Sequence, residues 1–263
     1  MAARRYCIDK ERYWHEIYTK MVDSGQDRDG GYYTDESYDV FPRYQILSAI
    51  LEEVEGILLE ELTELEEARE IIKMAGITAD DIFTRDVTNA IQQNAIEDER
   101  KAYVQRIEAL TEKDLVSVKP IPYRRTLKKL EIQQIWTRLK EQWEVGKQSG
   151  WYWYPLEKCN ITDVQAFYDE YFHEEVGSEV IKEILENRKN CLIWELREFG
   201  QGYEMEPALL DISYKIGEGY WCSENMDWIV YVSHEGTVTF GGWLLAEVKK
   251  HWKNWRERLW KTW

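Results

Sequence analysis

The spacing of apolar positions changes partway along this chain. Near the start, Trp14, Ile17, Tyr18 and Met21 recur at helical steps and predict a first helix over about 9–22. A polar stretch bearing Gly25, Gly30 and Gly31 comes next and reads as a loop from Asp23 to Pro42. Leu47, Ile50, Leu51, Val54, Leu58, Leu62, Leu65 and Ile72 then recur at steps of three, four or seven. They predict one long amphipathic helix over 43–75. Gly76 stands where a left-handed glycine would end it, and Thr78 with Asp81 reads as a capping box at the start of another helical segment. A further helix over 86–110 carries Val87, Ile91, Tyr103, Ile107 and Leu110. Helices of this kind pack as a bundle.

Beyond Lys119-Pro120-Ile121-Pro122 the pattern shifts from glutamate-rich helix to aromatic strand. Neither proline can donate a backbone hydrogen bond, so the tetrapeptide reads as a hinge between a helical domain, 1–118, and an aromatic-rich domain, 119–263. Residues 115–118 read as a short strand, and Thr126 as the cap of a helix running to Trp143. Short helices are expected over 163–173 and 179–188, and strands over 191–198, 208–213, 219–222, 227–233 and 237–240. His234-Glu235-Gly236 joins the last two as a hairpin, and Gly241-Gly242 releases the chain into a final helix over 243–261. The fold class is therefore α+β: a bundle-like N-terminal part with one long amphipathic helix, then antiparallel strands covered by helices.

Charge sharpens this division. Residues 1–118 hold 27 Asp and Glu against 14 Lys and Arg, a net of −13; residues 119–263 hold 23 against 20, a net of −3, giving −16 overall. Such a chain repels phosphate backbones and attracts cationic partners, which argues against a general nucleic-acid binder. No run approaches the roughly 18 apolar residues of a membrane span. Met1–Arg5 is basic, but acidic and polar residues come after it, so no signal peptide is expected. The four cysteines, Cys7, Cys159, Cys191 and Cys222, lack zinc or redox spacing and fit free thiols in a reducing cytoplasm.

Several clusters carry candidate chemistry. The glutamates between positions 52 and 70, among them Glu52, Glu53, Glu60, Glu61, Glu64 and Glu67, are opposed by Arg69 alone. They form either a solvated face or a docking surface for a basic partner. Aligning Gly30 with the sixth position of a calcium loop places Asp27 at the third, Asp29 at the fifth and Glu36 at the twelfth. Gly25 then occupies the first position and offers no side-chain oxygen, so calcium or another divalent ion is a candidate and no cofactor is expected. In the last helix, Lys249, Lys253 and Arg256 alternate with Trp252, Trp255, Leu259 and Trp263, a basic amphipathic stripe that either covers the strands or meets an anionic surface. Arg124 and Arg125 add a guanidinium pair suited to carboxylates of the acidic half. Asp211, Asp227, His234 and Glu235 are candidate acid–base groups. Glu247-Val248-Lys249 falls on a helix, and Gly217-Glu218-Gly219 is too short for a phosphate loop.

In its acidic, tryptophan-rich α+β composition the chain resembles bacterial immunity proteins and antitoxins, which neutralise basic enzymes by charge and shape. That resemblance implies an inhibitor of a basic partner protein, with the glutamate face supplying attraction and exposed aromatics supplying anchors. A metal-assisted hydrolase or nuclease using carboxylates of the C-terminal strands is the alternative enzyme reading, and a homo-oligomeric scaffold built on the long helix is a third.

Overall fold

A computed structural model describes residues 1–58, 64–148, 150–188, 192–215 and 217–261. The fold is α+β, with N-terminal helices and a C-terminal antiparallel sheet. The chain divides into two compact units, Met1–Ile121 and Pro122–Trp263. Cys7, Cys159 and Cys222 are free thiols, and Cys191 lies outside the described residues.

The N-terminal unit contains α1 (Ala2–Asp23), a small hairpin of β1 (Arg28–Asp29) and β2 (Tyr32–Tyr33), α2 (Asp35–Gly56), α3 (Leu65–Thr78), α4 (Ala90–Glu108) and α5 (Glu112–Ser117). Ala3, Cys7, Ile46, Ile50, Val54, Ala79, Ile96, Tyr103 and Ile107 form its core. Helix α2 starts earlier than the apolar stripe implies. The Thr34 side chain accepts from the Ser37 amide at 3.2 Å, and Asp35 and Glu36 occupy the first turn, where the helix dipole favours negative charge. The helix runs through Pro42, losing one backbone bond there.

The single helix expected over 43–75 is interrupted. Helix α2 ends at Gly56, and Ile57 and Glu64 are both extended; Leu62 lies outside the described residues. Two effects favour the break. Gly56 is a poor helix former, and Glu52, Glu53 and Glu55 crowd the negative end of the dipole with no basic residue in the last turn. Gly76 is not a terminator but lies inside α3, and a Cβ there would fall within the ring of Tyr103 on α4. The Tyr103 hydroxyl donates to the Ile72 carbonyl at 3.0 Å, so ring and helix lock together. Arg100, also on α4, donates to the carbonyls of Gly76, Ile77 and Ala79 and closes the end of α3. Residues 115–118, expected as a strand, fall largely in α5, because Thr111 and Asp114 form a reciprocal capping box.

The C-terminal unit is a seven-stranded antiparallel sheet in the order β3-β6-β5-β7-β8-β9-β4. Its strands are β3 (Arg124–Thr126), β4 (Val164–Tyr168), β5 (Ile193–Arg197), β6 (Tyr203–Met205), β7 (Gly219–Ser223), β8 (Trp228–Ser233) and β9 (Thr237–Gly242). Every residue of β7, β8 and β9 is buried, so helices must cover both faces. Trp221, Trp228, Val230 and Phe240 pack with residues of α7 (Asp169–Glu175), α8 (Gly177–Glu186) and α9 (Trp243–His251). Tyr220, Cys222, Ile229 and Tyr231 pack with Ile135, Leu139 and Trp143 of α6 (Lys129–Trp143) and with Trp153. The Trp143 indole donates to the Met226 carbonyl at 3.1 Å and its ring lies where a side chain of Gly241 would stand.

Four local expectations fail here. Thr126 belongs to β3 and does not cap α6, whose N-cap is Lys128. Residues 208–213 are not a strand; a 3-10 turn at Pro207–Leu209 occupies their start, and β6 supplies the strand earlier. Residues 164–168 pair with β9 as a strand before α7 begins. The final helix stops at His251, where Trp252 turns into the core against Phe167.

Replacing Gly76 with Ala is expected to cost about 1–3 kcal/mol through overpacking against Tyr103. Urea unfolding should show a lower midpoint with an unchanged slope; a variant as stable as the wild type would refute this packing account.

Candidate functional site

The candidate acid–base groups are engaged by different partners. Asp211 pairs with Lys215 at 2.9 Å, and Asp227, in the turn before β8, accepts from the Ser223 hydroxyl at 2.6 Å. His234 and Glu235 sit at the tip of the β8–β9 hairpin, 3.4 Å apart. Among the described residues no three His, Cys, Asp or Glu side chains are grouped as a metal site requires. Asp27 and Asp29 belong to a hairpin instead of an ion-binding loop. Gly30 and Gly31 both have positive φ, the signature of a tight two-residue turn, and pair Asp29 with Tyr32. Asp27 pairs with Arg28, and Glu36 sits in the first turn of α2.

What the fold brings to His234 is Glu218, which lies just before β7. Because Gly219 pairs with Val232 across the β7–β8 ladder, residue 218 falls beside the start of the β8–β9 turn. Glu218 is fully buried, and its Oε1 lies 2.5 Å from His234 Nδ1 and 3.3 Å from the His234 amide. Its second oxygen, Oε2, makes no hydrogen bond of ordinary geometry among the described residues, and neither does the buried hydroxyl of Tyr231. Tyr231 stacks on Tyr220 at 4.6 Å, and Tyr220 donates to the Trp151 carbonyl at 2.5 Å. Burial, with the Glu218 charge adding to it, pushes both phenols well above their usual range, so they remain neutral donors. The Glu218 hydrogen bond raises the pKa of His234. The cluster clasps the hairpin tip to the sheet. Its sequence signal is a lone charge between two glycines, Gly217-Glu218-Gly219, leading into an apolar strand.

The basic and aromatic residues of the C-terminal unit are divided between surface and core. Trp252 is buried and its indole donates to Glu175 at 2.6 Å, which removes it from any exposed stripe. Lys249 and Arg256 each lie 4.5 Å from the ring centre of Trp255, while Lys253 is exposed; Trp263 lies outside the described residues. Arg124 stacks over Tyr203, and Arg125 makes a two-pronged pair with Glu131 at 2.9 Å and reaches Glu204 at 3.3 Å. Its carboxylate partners therefore come from its own unit, where strand pairing of β3 with β6 brings them together.

In the N-terminal unit, Glu60 and Glu61 lie outside the described residues. Glu52 is half-buried, and Glu53, Glu64 and Glu67 are exposed; Glu52 and Glu67 both have partners. Other acids of this stretch are held internally: Glu55 is buried against Arg4 at 2.9 Å, and Glu66 and Glu70 pair with Arg69 and Lys73. Glu67, Glu70, Met74 and Ile77 fall at i, i+3, i+7 and i+10 on α3, one helical stripe. Met74 and Ile77 are about half exposed, and Ile82 and Phe83 in the next turn are 81% and 48% exposed. Charge patterning located the glutamates but not these apolar neighbours, since Met74 and Ile77 read as helix filler. Exposed aromatics are present, but they are mostly tyrosine and phenylalanine, among them Tyr13, Tyr32 and Phe199. Of the twelve described tryptophans, Trp151 alone is exposed, because the others pack against the sheet or neighbouring elements.

No family model, curated protein or solved structure matches this chain.

The raised His234 pKa predicts a pH dependence with a definite sign. Protonated His234 stabilises the fold fully below its unfolded pKa of about 6.5, and that contribution disappears as pH rises through the higher folded-state value. His234→Gln should therefore lose stability relative to wild type in mildly acidic buffer, with the difference shrinking in alkaline buffer. Urea titrations at several pH values check this, and a pH-independent difference would contradict it.

Proposed function

We propose that this chain is a protein-interaction module whose acidic N-terminal unit receives a basic partner. A single observation carries the reading: one edge of α3 and the turn after it combine exposed carboxylates with exposed Met74, Ile77, Ile82 and Phe83. Scattered apolar residues are ordinary on a protein surface, but four within ten positions, beside exposed acids on a unit of strongly negative charge, suit a partner with a cationic rim and an apolar centre. Opposite charge would speed the encounter, and the apolar group would hold the complex once water is expelled. Inhibition of a basic enzyme, in the manner of an immunity protein or antitoxin, is the specific form proposed. The full acidic stretch contributes to the field even though several of its members are internally paired, because the excess of acids over bases in residues 1–118 leaves a net charge of −13.

The experiment is affinity capture from the native host on the immobilised wild-type chain, compared with an Ile77→Asp, Phe83→Asp double variant. A specific cationic protein should be retained by the wild type at low salt, associate at least about tenfold more slowly at high salt, and lose about 2 kcal/mol of affinity for the variant. Retention that is indifferent to both salt and the variant would reject the proposal.

A further inference from the structure

Within the acidic N-terminal unit the cations are unevenly distributed. Several pair with carboxylates: Arg4 with Glu55, Arg43 with Asp39 and Glu99, Lys73 with Glu70 and Glu108, Arg85 with Asp80, and Lys101 with Glu97. Four others, Arg5, Lys10, Arg106 and Lys119, line one open groove of about 650 Å³ between α1, α4 and the segment after α5. Lys10, Arg106 and Lys119 form no ion pair with any described residue. Arg5 reaches instead to the backbone carbonyls of Lys119 and Pro120, at 3.3 and 3.4 Å, which fixes it in the wall without neutralising it.

The groove contains two carboxylates, Asp9 and Asp114. Asp114 is committed elsewhere: its Oδ2 accepts from the Thr111 amide at 2.9 Å and from the Thr111 hydroxyl at 2.6 Å. The groove thus carries four cations against two acids, a local excess of two positive charges in a unit of opposite sign. Tyr13, just over half exposed, lines it, with the Lys10 ammonium 5.8 Å from its ring centre. Overall negative charge does not forbid an anion here. At physiological salt the screening length is about 8 Å, so the charges lining the groove outweigh those on remote faces.

We propose that this groove binds a small phosphorylated compound bearing a planar ring, a mononucleotide in size and chemistry. Arg106 suits a forked contact to phosphoryl oxygens, Arg5, Lys10 and Lys119 supply positive charge, and Tyr13 provides an aromatic surface for the ring. A polymeric nucleic acid is disfavoured by the acidic surroundings, which would repel the phosphates extending beyond the groove. The inference is independent of the partner surface on α3, so either can fail alone.

Isothermal titration of the full chain with adenosine triphosphate, inorganic pyrophosphate and adenosine tests it in low-salt, metal-free buffer. Adenosine triphosphate should bind, more tightly than pyrophosphate, while adenosine gives no heat. An Arg106→Gln, Lys10→Gln variant should weaken adenosine triphosphate at least about tenfold, and Tyr13→Ala should weaken it while leaving pyrophosphate unchanged. Both changes lie on a solvent-lined wall, and circular dichroism confirms that each variant is folded before titration. Absence of binding to the wild type, or equal affinity in the Arg106→Gln, Lys10→Gln variant, would overturn the proposal.

Discussion

The three central strands β7, β8 and β9 have no solvent-facing side, and the C-terminal unit is organised around that constraint. A sheet buried on both faces needs two helical layers, which α6 provides on one face and α7, α8 and α9 on the other. Polar side chains within it are costly unless they find partners, and several do. Ser233 and Thr237 meet at 2.7 Å, Thr239 donates to the Tyr154 carbonyl at 2.7 Å, and Glu218 takes His234. Tryptophan suits such a sheet because one side chain fills the space between layers and keeps a single donor to place. Trp143 and Trp153 place theirs on backbone carbonyls and tie the α6 layer to the loops beside it.

The N-terminal unit meets a different constraint, an excess of like charge. It contains the cost by pairing its buried carboxylates: Glu55 with Arg4 and Glu99 with Arg43. Breaking either pair would strand a charge away from water, a loss of about 3–5 kcal/mol. Cations used in this way are withdrawn from the surface, while exposed acids remain along α3 and four other bases line the groove beside α1.

His234 shows how an exposed acid–base candidate acquires a structural role. At a hairpin tip it would be free to titrate, but the ladder register places the buried carboxylate of Glu218 against its ring. The pair closes the turn onto the sheet. The second oxygen of Glu218 and the hydroxyl of Tyr231 are the least satisfied polar atoms of this cluster, and burial keeps the phenol neutral beside the carboxylate.

The sequence alone determined what depends on local periodicity and on charge. Helical spacing marked α1, α4 and α6, alternation and glycine marked the β8–β9 hairpin, and the acidic excess marked the N-terminal half, because each signal is carried by residues close along the chain. Tertiary structure decided whatever depends on contacts between distant residues. An unbroken apolar stripe hid the interruption after Gly56, since periodicity does not register charge stacked against a helix end. Gly76 has the look of a terminator in sequence, yet the ring of Tyr103, 27 positions away, occupies the place of its side chain. Trp252 continues a helical stripe in sequence, but Phe167 and Glu175 draw it inward and end the helix. The groove shared by Arg5, Lys10, Arg106 and Lys119 has no sequence signature at all, because its walls come from opposite ends of the unit and only packing brings them together.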